Sequence, residues 1–552
     1  MDNRVLIWMA VAMIWLLTYQ AWQRDYGPQR AAAPIEQAVD GATASAPTIS
    51  DSIAPPTLGD DAVPTGTGIA GPQLEEAPDT TTPKIRVVTD VYDLYIDTTG
   101  ATLRNVTLNN YPKRKDEPDD KVVLLQPRFT ALQTGLLAGA GREAPSHDAV
   151  FTASNSSYEL SSGQDSLDVT LTWQGDGVSV DKTYTFTRGR YNVELKQVVR
   201  NTSDTAWSGA QYAQLKGNAA GTKRSMVDVD SYSFIGSVVY DGDSYEKYLF
   251  KDLAKEPLKL DATNGWIANI QHHFLSAAIP PAGELVKYSS RTPNESTMLV
   301  SGVTPLKTIA AGGSSEFSQR LFVGPKLQDQ MEETAEGLKL SVDYGFLTII
   351  SQPMFWLLKK IHDFVGNWGL AIILLTVLIK LLFYPLAEKA GRSTAKMRTV
   401  APRLKQIQER YKDDKQAQSK AMMELYKKEK INPAAGCLPL LIQMPVFLAL
   451  YWVLIESVEL RQAPFFGWIT DLSSRDPWFI LPLIMAGAMF VQTKLNPASP
   501  DPTMQKVMTF MPLIMSVFFM FFPAGLVLYW VVNTVLSVAQ QYRINKLVER
   551  GA

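Results

Sequence analysis

Three rhythms of apolar and polar residues divide this chain of 552 residues. Residues 5 to 22 (VLIWMAVAMIWLLTYQAW) are almost wholly apolar and carry Trp8, Trp15 and Trp22, the aromatic pattern of a segment whose ends sit at membrane interfaces. A cleaved signal peptide and a retained anchor both fit. The small residues 31–33 could serve a signal protease but lie well beyond the apolar run, so a transmembrane anchor is expected over 1–23. Residues 24–83 are rich in Ala, Pro, Thr, Gly, Ser and Asp and nearly free of aromatics. Such a composition buries too little surface to offset ordering, and it predicts a disordered linker.

From residue 84 to 326 the period is two. VYDLYIDTTGATLRNVTL, LDVTLTWQGDGVSVDKTYTF and YNVELKQVVRN alternate apolar and polar positions around Gly and Asp turns. This predicts short antiparallel strands packed as an all-β sandwich of two sheets. His272 and His273, adjacent in GWIANIQHHFLSAAIPP, are expected on opposite faces of one strand, which suits neither a shared metal nor a catalytic pair.

After residue 338 the period lengthens to that of a helix. In SQPMFWLLKKIHDFVG, Phe355, Leu358, Ile361 or His362, and Val365 recur opposite Lys359, Lys360 and Asp363, so 345–366 reads as an amphipathic helix lying on a membrane. Five apolar stretches follow, at about 367–387, 436–456, 478–495, 505–522 and 525–541, and make a membrane core over 367–541. Pro385, Pro439, Pro445, Pro482 and Pro512 interrupt them, which is tolerable where neighbours or water satisfy the freed carbonyls. Within the core, residues 389–432 carry two apolar stripes on either side of KDDK: Met397, Val400, Leu404, Ile407 and Tyr411, then Ala421, Met422, Leu425 and Tyr426. An antiparallel helical hairpin is expected, kinked at Pro402. Residues 542–552 form a basic tail.

Charge orients these pieces. Residues 23–340 hold about 29 Lys+Arg against about 40 Asp+Glu, whereas the rest of the chain is basic, and the hairpin alone has about 13 Lys+Arg against about 5 acids. The hairpin and the tail are therefore expected in the cytoplasm, and an odd number of crossings puts the β-domain on the exported side. With the anchor, six spans result and both termini are cytoplasmic. The only cysteine, Cys437, lies in an apolar stretch, so the exported part has no disulfide and relies on its own core. A Gram-negative inner membrane with the large domain in the periplasm fits this pattern.

One residue stands out energetically. Lys380 sits inside LAIILLTVLIKLLFYPL, where an ammonium costs roughly 2.5 kcal/mol or more unless it snorkels, pairs or faces a wet cavity. Thr376 lies four residues earlier on the same helix face. Tyr529, Asn533 and Ser537 repeat that spacing in the last stretch, with Trp530 and Thr534 beside them, and Gln443 lies in LLIQMP of the second. Such stripes either hydrogen-bond into a closed bundle or line a water-filled groove. No carboxylate is placed at the depth of Lys380, so a hydrated, unpaired cation is expected. The basic hairpin could enforce topology, bind anionic lipid, or meet ribosomal RNA or a nascent chain. Met485, Met489, Met504, Met508, Met511, Met515 and Met520 fill core gaps or offer a surface that accepts many apolar partners. HExxH, Walker and GxSxG motifs and paired intramembrane carboxylates are missing, so neither an enzyme nor an ATP-driven pump is indicated, and no cofactor or metal is expected.

SQPMFWLLKKIHDFVGNWG, NPAAGCLPLLIQMPVFLALYWVL, SVELRQAPFFGWITDLS, DPTMQKVMTFMPLIMSVFF and FFPAGLVLYWVVNTVLS resemble, in order, the membrane core of the YidC family of insertases. The anchor, linker and β-domain resemble the long Gram-negative members, whose periplasmic domain is a galactose-mutarotase-like supersandwich. The resemblance implies a multi-domain membrane protein whose five core helices enclose a hydrophilic groove open to cytoplasm and lipid. Lys380 occupies the place where many members have Arg; Thr376 and Tyr529 fall on groove positions, and Trp530 replaces what is often a second Tyr. It further implies nascent membrane proteins, the ribosome, the Sec translocon and membrane lipids as partners. Two other functions fit parts of the pattern: a secondary transporter using the intramembrane Lys380, although no internal repeat is visible, and a membrane-anchored glycan-binding receptor built on the β-domain.

Overall fold

The computed structural model describes residues 83–126, 130–139, 142–218, 234–294, 297–412, 414–429, 438–495 and 502–550. The expected anchor and linker lie outside these residues.

The strand-rich part runs from Lys84 to Pro325 and, among the described residues, forms three sheets rather than two. Five strands make one sheet, in which Lys84–Val88 pairs antiparallel with Tyr92–Asp97 but parallel with Ser157–Glu159. A nine-stranded sheet is built around Phe274–Ile279, Ser314–Pro325, Asn192–Asn201 and Val178–Thr187, and six further strands make the third. Val178–Thr187 alternates buried and half-exposed side chains, the signature of one covered face. Trp266–Gln271 and Phe274–Ile279 are buried along nearly their whole length. Strands covered on both faces need a layer on each side, so two sheets are too few. Both flanking sheets are tied to the central one. The Tyr92 hydroxyl reaches the carbonyls of Tyr191 at 2.9 Å and Val323 at 2.6 Å, while Trp207 packs edge-on against Phe317 at 6.4 Å.

His272 and His273 do not lie within a strand. They are the two-residue turn between Trp266–Gln271 and Phe274–Ile279, where Gln271 pairs with Phe274 and His272 takes φ +50°. Their rings stack at 3.6 Å. The largely apolar run continues on both sides of the turn, and the turn residues include no Gly or Asn to mark it, so the segment reads as one unbroken strand.

Two short helices, α1 (Phe250–Lys255) and α2 (Gln328–Thr334), belong to the strand-rich part. The helical part begins with α3 (Thr348–Val365), which packs against α4 (Trp368–Leu382) and α8 (Leu438–Glu456). Its Phe355 and Leu358 are buried against protein, whereas Ile349, Trp356 and Phe364 are exposed. Helical spacing says which residues share a face but not what covers that face. Of the stripe expected on the membrane, Phe355 and Leu358 turn to protein, whereas Ile361, His362 and Val365 stay half-exposed.

Chain breaks coincide with prolines. α5 (Tyr384–Thr399) restarts after Phe383 with Pro385 in its first turn, bending the path by 68° from α4, because proline offers no N–H to continue the earlier ladder. Val400 similarly separates α5 from α6 (Ala401–Arg410), which has Pro402 in its first turn. α7 (Lys415–Lys428) starts on Asp414, whose carboxylate accepts from the amides of Gln416 and Ala417. α6 and α7 close on Val400 and Leu404, with Met397, Met422, Leu425 and Tyr426 packed around them.

The remaining helices are α9 (Ile480–Leu495), α10 (Pro502–Phe519) and α11 (Ala524–Glu549). α11 continues as helix through most of the segment read as a tail. It is also the central element, touching α4, α5, α8 and α9. Gly525 permits this: a Cβ there would meet Leu454 at 3.0 Å, the Leu472 carbonyl at 3.1 Å and Ile372 at 3.3 Å. Among the described residues no single helix is long and apolar enough to cross a membrane, and only the bent pair α4 and α5 passes together. Large apolar side chains nonetheless cover the outer helix surfaces, including Leu382, Leu483, Phe510 and Leu513. In water such a surface would be an association hazard; in hydrocarbon it needs no cover.

Candidate functional site

α4, α8 and α11 bring most of the polar side chains singled out above to one seam. Asn367 starts α4 by accepting from the Leu370 amide at 3.0 Å, and three turns on the helix presents Lys380 to α11. The Lys380 ammonium donates to Ser537 Oγ at 2.7 Å, and Ser537 in turn donates to the Asn533 carbonyl at 2.7 Å. Among the described residues no carboxylate lies within ion-pair distance of Lys380. The cation is thus hydrogen-bonded rather than wholly solvated, but a neutral hydroxyl leaves its charge uncompensated.

About two helical turns earlier on α11, Gln443 of α8 donates from Nε2 to the Tyr529 hydroxyl at 2.9 Å. Trp530 turns its ring to Phe447 at 5.0 Å and to Phe519 at 5.2 Å. Lys380, Gln443 and Trp530 each keep part of their surface open, whereas Thr376, Tyr529 and Asn533 are enclosed. Thr376 does not join the inter-helix network. Its hydroxyl folds back onto the Ile372 carbonyl at 2.7 Å, as Thr in helices commonly does. The Asn533 Oδ1 is buried without a partner among the described residues. The seam therefore has an open edge at Lys380, Gln443 and Trp530 and a closed wall behind it.

Ser537 was visible in the sequence as part of a stripe, but its bond to a lysine 157 positions away was not. A second polar cluster had only a faint signal, the acids that end the α8 run. There Lys326 Nζ meets Glu456 Oε2 at 3.3 Å, with both side chains buried. Burial holds the Lys326 pKa below its ordinary value in spite of the carboxylate beside it. The Tyr344 hydroxyl accepts from Gln328 Nε2 at 2.8 Å and bonds Ser457 Oγ at 3.0 Å, while Glu459, pushed up to about 7 by burial, accepts from the Gln328 amide. His272 Nε2 lies 3.0 Å from the Ile455 carbonyl. His273 is buried, and that together with the neighbouring His272 depresses its pKa. Farther out, Arg461 donates to the carbonyls of Pro112 and Lys113, and Lys115 donates to those of Gln462 and Thr470. The strand-rich part is thereby fastened to the end of α8, the helix that carries Gln443.

Known proteins match the chain in two parts that meet within α3. A family profile described as YidC periplasmic domain matches residues 84–357, and one described as 60Kd inner membrane protein matches 360–550. A membrane protein insertase YidC from Thioalkalivibrio sulfidiphilus is 46% identical over 567 residues, covering 100% of this chain and 99% of the relative. The chain belongs to the YidC family. Membrane protein insertases YidC of Stutzerimonas stutzeri and Methylobacillus flagellatus are each 43% identical, covering 100% of this chain and 99% and 98% of the relatives. Among solved structures, an active YidC insertase with its first transmembrane domain resolved is 20% identical, covers 84% of this chain and 93% of that one, and gives a TM-score of 0.39. A galactose mutarotase-like protein from Lactobacillus casei covers 44% and 99% at 13% identity, with a TM-score of 0.29. The assignment to the YidC family rests on the sequence relatives. Its fold is a β-rich periplasmic domain followed by a helical C-terminal region.

Proposed function

We propose that this chain inserts and helps fold nascent inner-membrane proteins along the seam formed by α4, α8 and α11. Its family membership makes it a membrane protein insertase, and neither a solute transporter nor a glycan receptor is supported by its relatives. The observation that carries the route is the half-open Lys380, bonded to Ser537 inside an otherwise apolar helix.

The physical task is to move a short polar segment across hydrocarbon while the apolar segment behind it enters lipid. A polar edge reaching part of the way shortens the dry path, and Lys380 attracts acidic residues in the moving segment. Ser537 holds the ammonium at the seam until a client carboxylate competes for it. Transfer of about 20 apolar residues into the bilayer then drives release, at roughly 0.8 kcal/mol per buried CH₂. No nucleotide is required. Lys380, Thr376, Gln443, Tyr529, Trp530 and Asn533 are the residues assigned to this route, with Thr376, Tyr529 and Asn533 as its wall.

The topology belongs to the same reading: an anchor at 1–23, a linker at 24–83, the periplasmic domain at 84–326, an interfacial helix at 345–366 and five core spans over 367–541. The hairpin at 389–432 and both termini then face the cytoplasm, where the ribosome delivers the client. The chain acts alone or beside the Sec translocon. Helices shorter than a bilayer crossing are compatible with this arrangement where the membrane thins around them.

Charge variants test the route. In vesicles holding the full-length protein, Lys380→Gln is expected to slow insertion of a client with an acidic translocated segment about tenfold. Lys380→Arg should retain most of the rate, and clients with neutral segments should respond little. Equal rates for Lys380→Gln and the unaltered protein with every client would refute the route.

A further inference from the structure

The face that α3 turns away from the protein carries Trp356, Lys360 and Phe364, one turn apart in succession. Trp356 is 61% and Phe364 91% exposed. The two lysines of this helix have different surroundings: Lys359 pairs with Asp329 of α2, whereas Lys360 is exposed and has no acidic partner among the described residues. Beneath this ridge, between α3 and α4, lies a groove of about 350 Å³ lined by Lys360, Ile361, Phe364, Leu374, Val377 and Leu378. Its wall is apolar except for the one ammonium at the rim.

We infer that this groove binds one anionic phospholipid, with an acyl chain between Ile361, Phe364 and the α4 side chains and the phosphate at Lys360. A polar soluble ligand would find nothing to orient it, because recognition of such ligands requires several convergent polar groups. An acyl chain needs only apolar walls. The aromatic residues on either side of Lys360 suit the depth at which Trp and lysine settle between hydrocarbon and headgroups, and lysine attracts phosphate as a compact point charge. Lys360 forms no ion pair among the described residues, and the carboxylate one turn on, Asp363, lies beside His362 at 3.8 Å, so the rim ammonium favours an anionic over a zwitterionic headgroup. The lipid fills the space between α3 and α4 lined by these side chains. Its assignment to the exported leaflet rests on the topology proposed above; the site itself does not.

Native mass spectrometry of the full-length protein in mild detergent, titrated separately with phosphatidylglycerol and phosphatidylethanolamine, tests this. One phosphatidylglycerol per chain is expected to be retained. Lys360→Ser, a surface change with little bearing on folding, should weaken its binding about fivefold, the effect of one lysine near an anionic surface, and leave phosphatidylethanolamine unaffected. Leu374→Trp, which fills the groove, should abolish the tight site. Phosphatidylglycerol retention that neither variant changes would overturn the inference. That is the result expected if neutral lipid or this chain's own segment 5–22 occupies the groove, or if bound lipid is merely annular. Insertion measured on the same variants separates the two readings, since loss of the lipid site with normal insertion leaves the insertase route intact.

Discussion

Glu456→Gln is expected to loosen the junction between the β-rich domain and the helices. Lys326 and Glu456 are 1% and 8% exposed and lie 3.3 Å apart, and removing one partner of a buried pair costs about 3–5 kcal/mol because the other charge is left behind. In the variant Lys326 retains the Ser341 carbonyl at 3.3 Å as an acceptor. It also has an escape: burial already lowers its pKa, so it can shed its proton. The lower bound therefore applies, about 3 kcal/mol, or on the order of a hundredfold in a local opening equilibrium. Hydrogen exchange on the full-length protein reads this directly at Leu338–Ser341 and Val458–Leu460, the segments that flank the pair. Both should exchange about a hundredfold faster, while strands such as Val178–Thr187 stay unchanged. The double variant Lys326→Met, Glu456→Leu should recover most of the protection, since packed apolar residues replace buried pairs at little cost. Protection within about threefold of the unaltered protein in Glu456→Gln, or a double variant as labile as the single, would show that the pair does not hold the junction.

Two further outcomes follow from buried groups elsewhere. Lys182 is enclosed in the sandwich, where among the described residues its acceptors are the Gly100 and Thr134 carbonyls, at 2.7 and 2.9 Å, and burial holds its pKa down to about 7 against an ordinary 10.5. Between those values the unfolded chain binds a proton that the folded domain does not. Stability should therefore rise with pH in that window, by on the order of 1 kcal/mol per unit, and be flat in this respect below it. Urea unfolding followed by tryptophan fluorescence should show that slope, and Lys182→Met should remove it. In α4, a Cβ on Gly369 would run into the Phe465 ring. Gly369→Val should cost about 1–3 kcal/mol by overpacking and speed exchange in the loop 461–472 that carries Phe465.

The sequence made much of the fold legible, for local reasons. Alternation in YNVELKQVVRN marks a strand because one of its faces is covered, and the prolines at 385 and 402 mark helix restarts because they lack a donor. Where several layers cover a strand, as in WIANIQ, alternation disappears and the number of sheets is no longer readable. The turn at His272 lacked turn residues and was hidden for that reason. The candidate site shows the same division. The spacing of Thr376 and Lys380 was plain, but the bond from Lys380 to Ser537, the enclosure of Thr376 and the Lys326–Glu456 pair depend on which helix faces which. Such long-range juxtapositions leave no trace in a single sequence.

On the proposed route a client travels past Lys380. Photo-crosslinking from residues 380, 443 and 530 to a ribosome-stalled nascent membrane protein, with residue 356 on the outer face of α3 as control, tests it most directly. Adducts are expected from all three seam positions and none from the control. Adducts absent from the seam, or equally strong at residue 356, would contradict it.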